Sequence, residues 1–566
     1  TTNNAVVPFD AVGGGPAGCV LANRLSANPN VTVLLLEAGG VENAATDVPM
    51  FALLHFHGPY DWNYHTEPQN FSCQSMQDKA IARLDGASYN AIHVLQKLFY
   101  ILSPPLSFGT LSFTQVDILR TFICNEDAMN ERRLATASYH GHKGELPIGY
   151  PNTKTVLSDA FLEAGKELGY DYVDYNGFSR IQVNVKDGQR YSSSKAFIQP
   201  IVGKRKNLHI SLLSLATKIL FKEKHAYGVK FERGAEDRKV LARREVIVSC
   251  GAIGTAQLLM LSGIGPAHHL RELDIPVVAD LPVGEGLQDH FFVGGIAATT
   301  QTDAELNLRS ISTVTHPHVR AVRPDAGPLA VPAGIEAVAF VSTPYVNASL
   351  DFPDIEIVLL SISPSSSEGE RYLLDSGLTK EVYDAYYKPH RGKYGFQLGP
   401  VLNRPKSRGY VRLKTTDPHD KPLINPNYLS HPEELEAAAP SAGAKKAVEI
   451  LQTAAFARLG TRLWPTVFPA CKGEGDVWSE QYLRCMATQY TCTTWHPCCT
   501  ARMGDGPHAV VDSRLRVRGG VAGLRVIDAS VMPSVITANL NAATHMIAEK
   551  GAAMIQEEYD PKPSGV

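Results

Sequence analysis

The chain has 566 residues, 44% of them hydrophobic and 20% charged, the balance of a globular protein with a large core. That composition excludes a disordered, collagen-like or small disulfide-scaffold chain. The net charge of −3 marks no polyanion-binding surface, so nucleic acid is not an expected partner. No uninterrupted apolar run reaches the ~20 residues that span a bilayer, so no membrane partner is expected either. The greasiest stretch, Ile92 to Phe113, is broken by Gln96, Lys97 and the Pro104–Pro105 pair.

The first landmark is the loop Gly13-Gly14-Gly15-Pro16-Ala17-Gly18, followed by a helical pattern to Ser26. Asn28-Pro29-Asn30 punctuates a turn, and Val31 to Leu36 is a buried-strand run ending at Glu37. Strand, glycine loop, helix and strand make the opening of a dinucleotide-binding fold. Gly13, Gly15 and Gly18 let the backbone turn tightly and approach a pyrophosphate, which the helix N-terminus favours. Glu37 falls 19 residues after Gly18, where an acid accepts hydrogen bonds from a ribose. The competing reading is a glycine-rich turn in an unrelated α/β fold. Against the dinucleotide reading, the strand before the loop is expected to be short, and Pro8 occupies a ladder position.

Further along, Val229–Phe231, Glu245–Ser249 and Pro276–Val278 read as strands. Between the last two lies a glycine-opened helix, Gly251 to Leu261, closed by Gly263 and Gly265. Residues 291 to 494 are richer in proline and aromatics and read as a second domain. The chain returns to short strands at Leu515–Val517 and Leu524–Asp528, then to a helix from Asn541 to about Glu557. Nine cysteines leave at least one unpaired within the chain. None is spaced for zinc, so no metal is expected. Cys471 and Cys485 bracket a polar loop and form the expected disulfide, whereas Cys498 and Cys499 are adjacent, a poor geometry for bonding each other. Acceptor tripeptides for N-glycosylation start at Asn30, Asn70 and Asn347. With no leader before Thr1, these point to a mature, secreted protein.

Several motifs in order resemble the glucose–methanol–choline (GMC) flavin oxidoreductases. Gly251 to Gly265 is similar to the family's second signature, and Leu281 to His290 to its Leu-Pro-Val-Gly block ending in Asp-His. Asp61–Pro68, Arg404–Tyr410, Pro422–Pro426, Trp495–Gly504 and Val526–Ser530 also look like family blocks. The likeness runs from Gly13 to Ile555 and is nearest in wording to the arthropod glucose-dehydrogenase-like branch. Two regions depart. The first signature is reduced here to Arg83–Asn90, with one glycine, Gly86, where the family has a pair, and residues 73–125 do not align. In the second, His496-Pro497-Cys498-Cys499-Thr500, Cys499 stands where the family has glycine.

The resemblance implies an α/β fold with a Rossmann-like FAD-binding domain built from discontinuous segments. An α+β substrate-binding domain with an antiparallel sheet would accompany it. Residues 1–290 would be mainly FAD-binding, with an uncertain flavin-covering loop at 73–125. Residues 291–494 would be mainly substrate-binding, and 495–566 would return to the FAD domain and active site. FAD would be non-covalent, because no histidine sits at the linkage position and His93 lies several residues later. Its neighbours would be Gly13, Gly15, Gly18, Glu37, Gly86, Ser88, Asn90, Ala216, Gly251, Trp495, Asp528, Ala529 and Asn541. The reaction implied is oxidation of an alcohol to a carbonyl, with hydride passing to flavin N5 and O2 reduced to H2O2. His496 would be the base, since imidazole titrates near neutral pH. Asn539 would be the second active-site residue, by a register that puts His545 beyond the site. A small aromatic alcohol or cyanohydrin is favoured as substrate over a sugar. The alternatives are a hydroxynitrile lyase without net redox, a dehydrogenase with another acceptor, and a non-catalytic protein on the same fold. Oligomeric state is not legible.

Overall fold

The computed structural model describes residues 4–81, 126–128, 143–170, 177–301, 303–306, 327–347, 349, 352–435 and 439–559. Gly86, Ser88, Asn90, His93 and most of the 73–125 segment lie outside them.

Two large sheets organise the chain. The first runs Leu208–Ser211, Val33–Leu36, Asn4–Val12, Glu236–Val248, His225–Arg233, Ser214–Lys222, with Leu524–Val526 also paired to Glu236–Val248. Its first four strands and Leu524–Val526 are parallel, and the rest is an antiparallel meander. Glu236–Val248 is long enough to serve both: its first half pairs the meander and its last three residues pair Leu524–Val526. Helix Pro16–Leu25 packs against the sheet and against the last helix, Leu540–Tyr559. A buried ion pair ties the late strand to the early ones. Arg525 donates from Nε and Nη2 to Glu245 at 2.6 and 2.9 Å and from Nη2 to Glu558 at 2.7 Å.

The opening strand is nine residues long, not short. Its register against Glu236–Val248 shifts between Val7 and Phe9, so the irregularity absorbs Pro8, which has no N–H to give the ladder. Two other expected strands moved. Pro276–Val278 precedes the strand found at Ala279–Asp280, and Leu515–Val517 makes only isolated bridges at Arg516 and Val517.

The second sheet is antiparallel, in the order Arg462–Leu463, Ile296–Thr299, Gly395–Leu402, Ile355–Leu360, Ile335–Val341, Phe178–Arg180. Phe291–Val293 bridges Gly395–Leu402 and Thr491–Thr493. Phe178–Arg180 comes from the early half of the chain, so the two sheets are interleaved in sequence. Helix Ala439–Leu451 covers this sheet. Among the described residues, no helix is long and apolar enough to cross a membrane.

Cys471 and Cys485 are bonded, with Cα atoms 5.7 Å apart. The bridge closes a short loop, and the chain-entropy account gives such a crosslink about 3 kcal/mol. Cys471→Ser/Cys485→Ser should therefore lower the urea midpoint by more than either variant of a surface serine. An unchanged midpoint would show that the bridge adds nothing.

Candidate active site

The glycine loop closes on the C-terminal edge of the parallel strands, where open α/β sheets place their ligands. Gly13 has φ +100°, and a Cβ there would lie 2.4 Å from the Ser249 carbonyl oxygen. A Cβ on Gly18 would lie 1.8 Å from the Gly13 carbonyl oxygen. Gly15 is the N-cap of the first helix, whose first turn carries Pro16. Glu37 accepts from the Gly14 N–H and, at 2.6 Å, from the Gly39 N–H. Each of its oxygens keeps a second lone pair for a ribose hydroxyl. Its carbonyl receives the Ser214 N–H, which starts the strand carrying Ala216. Gly13, Gly15, Gly18 and Glu37 thus gather at one edge, and Ala216 lies two residues along the strand that starts there, opposite Phe231.

Asp528 follows Leu524–Val526 and braces two elements from within. It accepts from the Gly251 N–H at 2.9 Å and Thr255 Oγ1 at 2.6 Å, at the start of helix Gly251–Leu261. It also accepts from Ser530 N–H and Oγ. Burial raises its pKa against these donors. Its carboxylate therefore has four internal partners, and Ala529 receives the Cys499 N–H at 3.3 Å. Asn541 stands at the start of the last helix with its amide Nδ2 and Oδ1 both buried and without a partner among the described residues. A buried amide without partners costs stability, which a bound polar group at Asn541 would recover. The glycine cradle and this orphaned amide fit a flavin dinucleotide.

A cavity of about 770 Å³ of empty space, partly open to solvent, lies over the second sheet. His496 and Asn539 both line it, with Trp495 and Thr494. The chain reaches this place through Thr491–Thr493, then turns at Trp495, φ +59°. Asp289 holds the turn. It accepts from the His496 N–H at 2.8 Å, Thr493 Oγ1 at 2.6 Å and the Tyr428 hydroxyl. Burial pushes its pKa up to about 6, and these donors pull the other way.

The next residue fixes the His496 ring. His290 Nδ1 is 3.0 Å from His496 Nδ1, and His290 Nε2 is 3.1 Å from the Asn403 carbonyl. A carbonyl only accepts, so His290 Nε2 carries the proton. Burial depresses the His290 pKa to about 4, so the ring is neutral at pH 7 and its Nδ1 is an acceptor. His496 must then donate from Nδ1, which leaves its Nε2 with the lone pair. Thr494 Oγ1, 3.0 Å from the same Nδ1, donates its own proton to the His290 carbonyl and can accept alongside. The tautomer follows from these partners rather than from observed hydrogens.

His545 is placed elsewhere. It is buried in the last helix with Nδ1 3.0 Å from the Asn541 carbonyl and Nε2 2.9 Å from Ser193 Oγ. Burial lowers its pKa to about 4. Reading residues one at a time missed Asp289, His290 and Thr494 as a support for His496. The signal was present, since Asp289 and His290 end the Leu281–His290 block.

Two family models described as GMC oxidoreductase match residues 113–292 and 405–548. The chain is 32% identical to a glucose dehydrogenase [FAD, quinone] of Drosophila melanogaster, over 98% of this chain and 87% of that protein. It is 33% identical to mitochondrial choline dehydrogenase of Mus musculus, over 97% and 89%. It is 30% identical to ecdysone oxidase of Spodoptera littoralis, over 99% and 93%. A formate oxidase of Aspergillus oryzae superposes with a TM-score of 0.82 at 23% identity, covering 99% of both chains. Matches of this identity along nearly the whole length, with both family segments in order, lead to one conclusion: the chain belongs to the GMC oxidoreductase family, FAD-dependent enzymes acting on CH–OH groups.

Proposed function

We propose that this chain oxidises an alcohol held between His496 and Asn539. The observation that carries the reading is the His290–His496 contact, which leaves His496 Nε2 as a base in the cavity that Asn539 also lines. Bound FAD supplies the acceptor for the hydride that leaves the alcohol carbon. The chain's own residues do the rest. Asn539 holds the substrate oxygen by a hydrogen bond, since an amide has no basic atom to take a proton. His496 Nε2 takes the hydroxyl proton as charge builds on oxygen, and the neutral His290 Nδ1 accepts a hydrogen bond from the imidazolium on its other side. Gly13, Gly15, Gly18, Glu37, Ala216, Gly251, Trp495, Ala529 and Asn541 would surround the cofactor, held without a covalent bond. Asp528, its side chain engaged internally, would act by setting the backbone. Domain limits follow the same plan, with 1–290 and 495–566 mainly for FAD and 291–494 mainly for substrate.

The cavity favours a substrate with an apolar body. Ile335, Val338, Val358, Leu360 and Phe292 line it. Glu356 brings the one carboxylate among its lining residues. Glu356 pairs with Val401, and Val401 pairs with Phe292, so Glu356 stands two strands, about 10 Å, across the sheet from Phe292. A small aromatic alcohol or cyanohydrin fits against such a lining, and a donor group at its far end would meet Glu356. Glu356→Gln should raise KM about tenfold for substrates with a cationic far end and leave wholly apolar ones unchanged. Equal KM changes for both would remove Glu356 from recognition.

Oxygen is the proposed acceptor, giving H2O2. Secretion as a glycoprotein is supported by the exposed Asn30, Asn70 and Asn347 and by the Cys471–Cys485 bond. The test is a substrate panel added anaerobically, followed by air or an artificial acceptor. Flavin bleaching with peroxide on aeration supports the oxidase. Bleaching without peroxide indicates another acceptor, and turnover without bleaching indicates a lyase.

A further inference from the structure

The turn that carries His496 continues into two adjacent cysteines, and their side chains meet. Cys498 Sγ and Cys499 Sγ are 2.7 Å apart, about 0.7 Å beyond a covalent S–S bond. Neighbouring side chains of an extended chain point to opposite sides. Here Cys499 has φ +73°, a left-handed conformation that glycine favours, and this brings both thiols to one side. The resemblance places glycine at this position, so a cysteine here accepts a disfavoured backbone and sets its sulfur against the neighbour's.

The dipeptide is also clamped. The Cys498 N–H donates to the Gln288 carbonyl at 2.9 Å, and the Gln288 N–H donates to the Cys498 carbonyl at 3.2 Å. The Cys499 N–H donates to Ala529, and Thr500 Oγ1 donates to the Ala252 carbonyl at 2.6 Å. Both cysteines are fully buried. Cys498 and Cys499 are unbonded thiols in this structure, as are Cys19, Cys73, Cys250 and Cys492 among the described residues, but none of those four has a cysteine sulfur at such a distance.

We propose that Cys498 and Cys499 are joined in the mature protein as a ring disulfide between neighbours, a second crosslink beside Cys471–Cys485. The oxidant is a low-molecular-weight disulfide of the oxidising compartment. One cysteine thiolate attacks a sulfur of that disulfide and releases one small thiol. The other cysteine then displaces the second small thiol and closes the ring. Two electrons pass to the small disulfide, and the two cysteine protons leave on the two thiols released. Burial raises the Cys498 pKa well above that of a free thiol, so exchange belongs to folding, before the core closes. Ring closure fixes the peptide plane two residues after His496 and so stiffens the turn that holds it.

The test uses the full chain, refolded with FAD in a mixture of oxidised and reduced glutathione. The product is denatured without reductant, alkylated and digested with trypsin and chymotrypsin. The peptide holding both cysteines should be two hydrogens lighter than the dithiol and carry no alkyl group. Reduction in denaturant should then let both be alkylated. One or two alkyl groups before reduction would overturn the proposal. Cys498→Ala provides the second arm, and Cys499 should become alkylatable in it. If Cys499 in that variant is instead found crosslinked to a peptide carrying another cysteine of the chain, rather than free or carrying glutathione, the ring is refuted.

Discussion

His496→Ala should keep its FAD and fold and slow flavin reduction by about 10²–10⁴-fold, the usual contribution of a general base. The alcohol proton must leave as the carbon gives up its hydride. Among the groups lining the cavity, His496 has its Nδ1 against a neutral neighbour, His290, which sets its tautomer. Asn539→Ala should cost less, because it removes an orienting hydrogen bond and no proton acceptor. His545→Ala should leave the chemical step near wild type, since that ring is occupied by Ser193 and the Asn541 carbonyl. Stopped-flow flavin reduction under anaerobic conditions measures all three. A silent His496→Ala beside an inactive His545→Ala would reassign the base.

Gly18→Ala should give protein without flavin. The added methyl would sit 1.8 Å from the Gly13 carbonyl oxygen, which is backbone and cannot swing aside. The loop would have to open, separating the first helix from the strand and pulling Gly14 from Glu37. Absorbance of the purified variant near the flavin bands, with far-ultraviolet dichroism as a check on folding, reads the result. A yellow, fully loaded Gly18→Ala would show that the loop does not hold the cofactor. Gly506→Ala is a suitable comparison, since that glycine, like Gly18, has no positive φ and its Cβ would meet open space.

The cofactor half was legible because its local chemistry is written in consecutive residues. A glycine loop, a helix and an acid at a fixed distance leave few folds open, and the motif blocks identified the family. What the sequence hid was non-local. Phe178–Arg180 is three residues long and gives no sign that its partner strand begins at Ile335. Pro8 argued against a strand because a ladder was assumed to be regular, whereas the register shift accommodates it. The His496 tautomer depends on His290, 206 positions earlier, and on the Asn403 carbonyl, which no side-chain pattern can report. Glu356 was overlooked for a similar reason: a charge within an apolar strand reads as an edge residue until its neighbours place it over a cavity.

The late strand Leu524–Val526 sets the order in which the molecule can be completed. It pairs beside the glycine loop's own sheet, and Arg525 anchors it to Glu245. Asp528, just after it, seats the start of helix Gly251–Leu261. During synthesis the ribosome delivers the loop early and its closing strand more than five hundred residues later. Nascent chains therefore carry an open sheet edge throughout translation, a slow non-local closure of the kind that exposes chains to aggregation. Expression yield should accordingly follow the supply of chaperones until Leu524–Val526 has been made, and a chain stalled before Leu524 should aggregate more readily than one stalled after Val526.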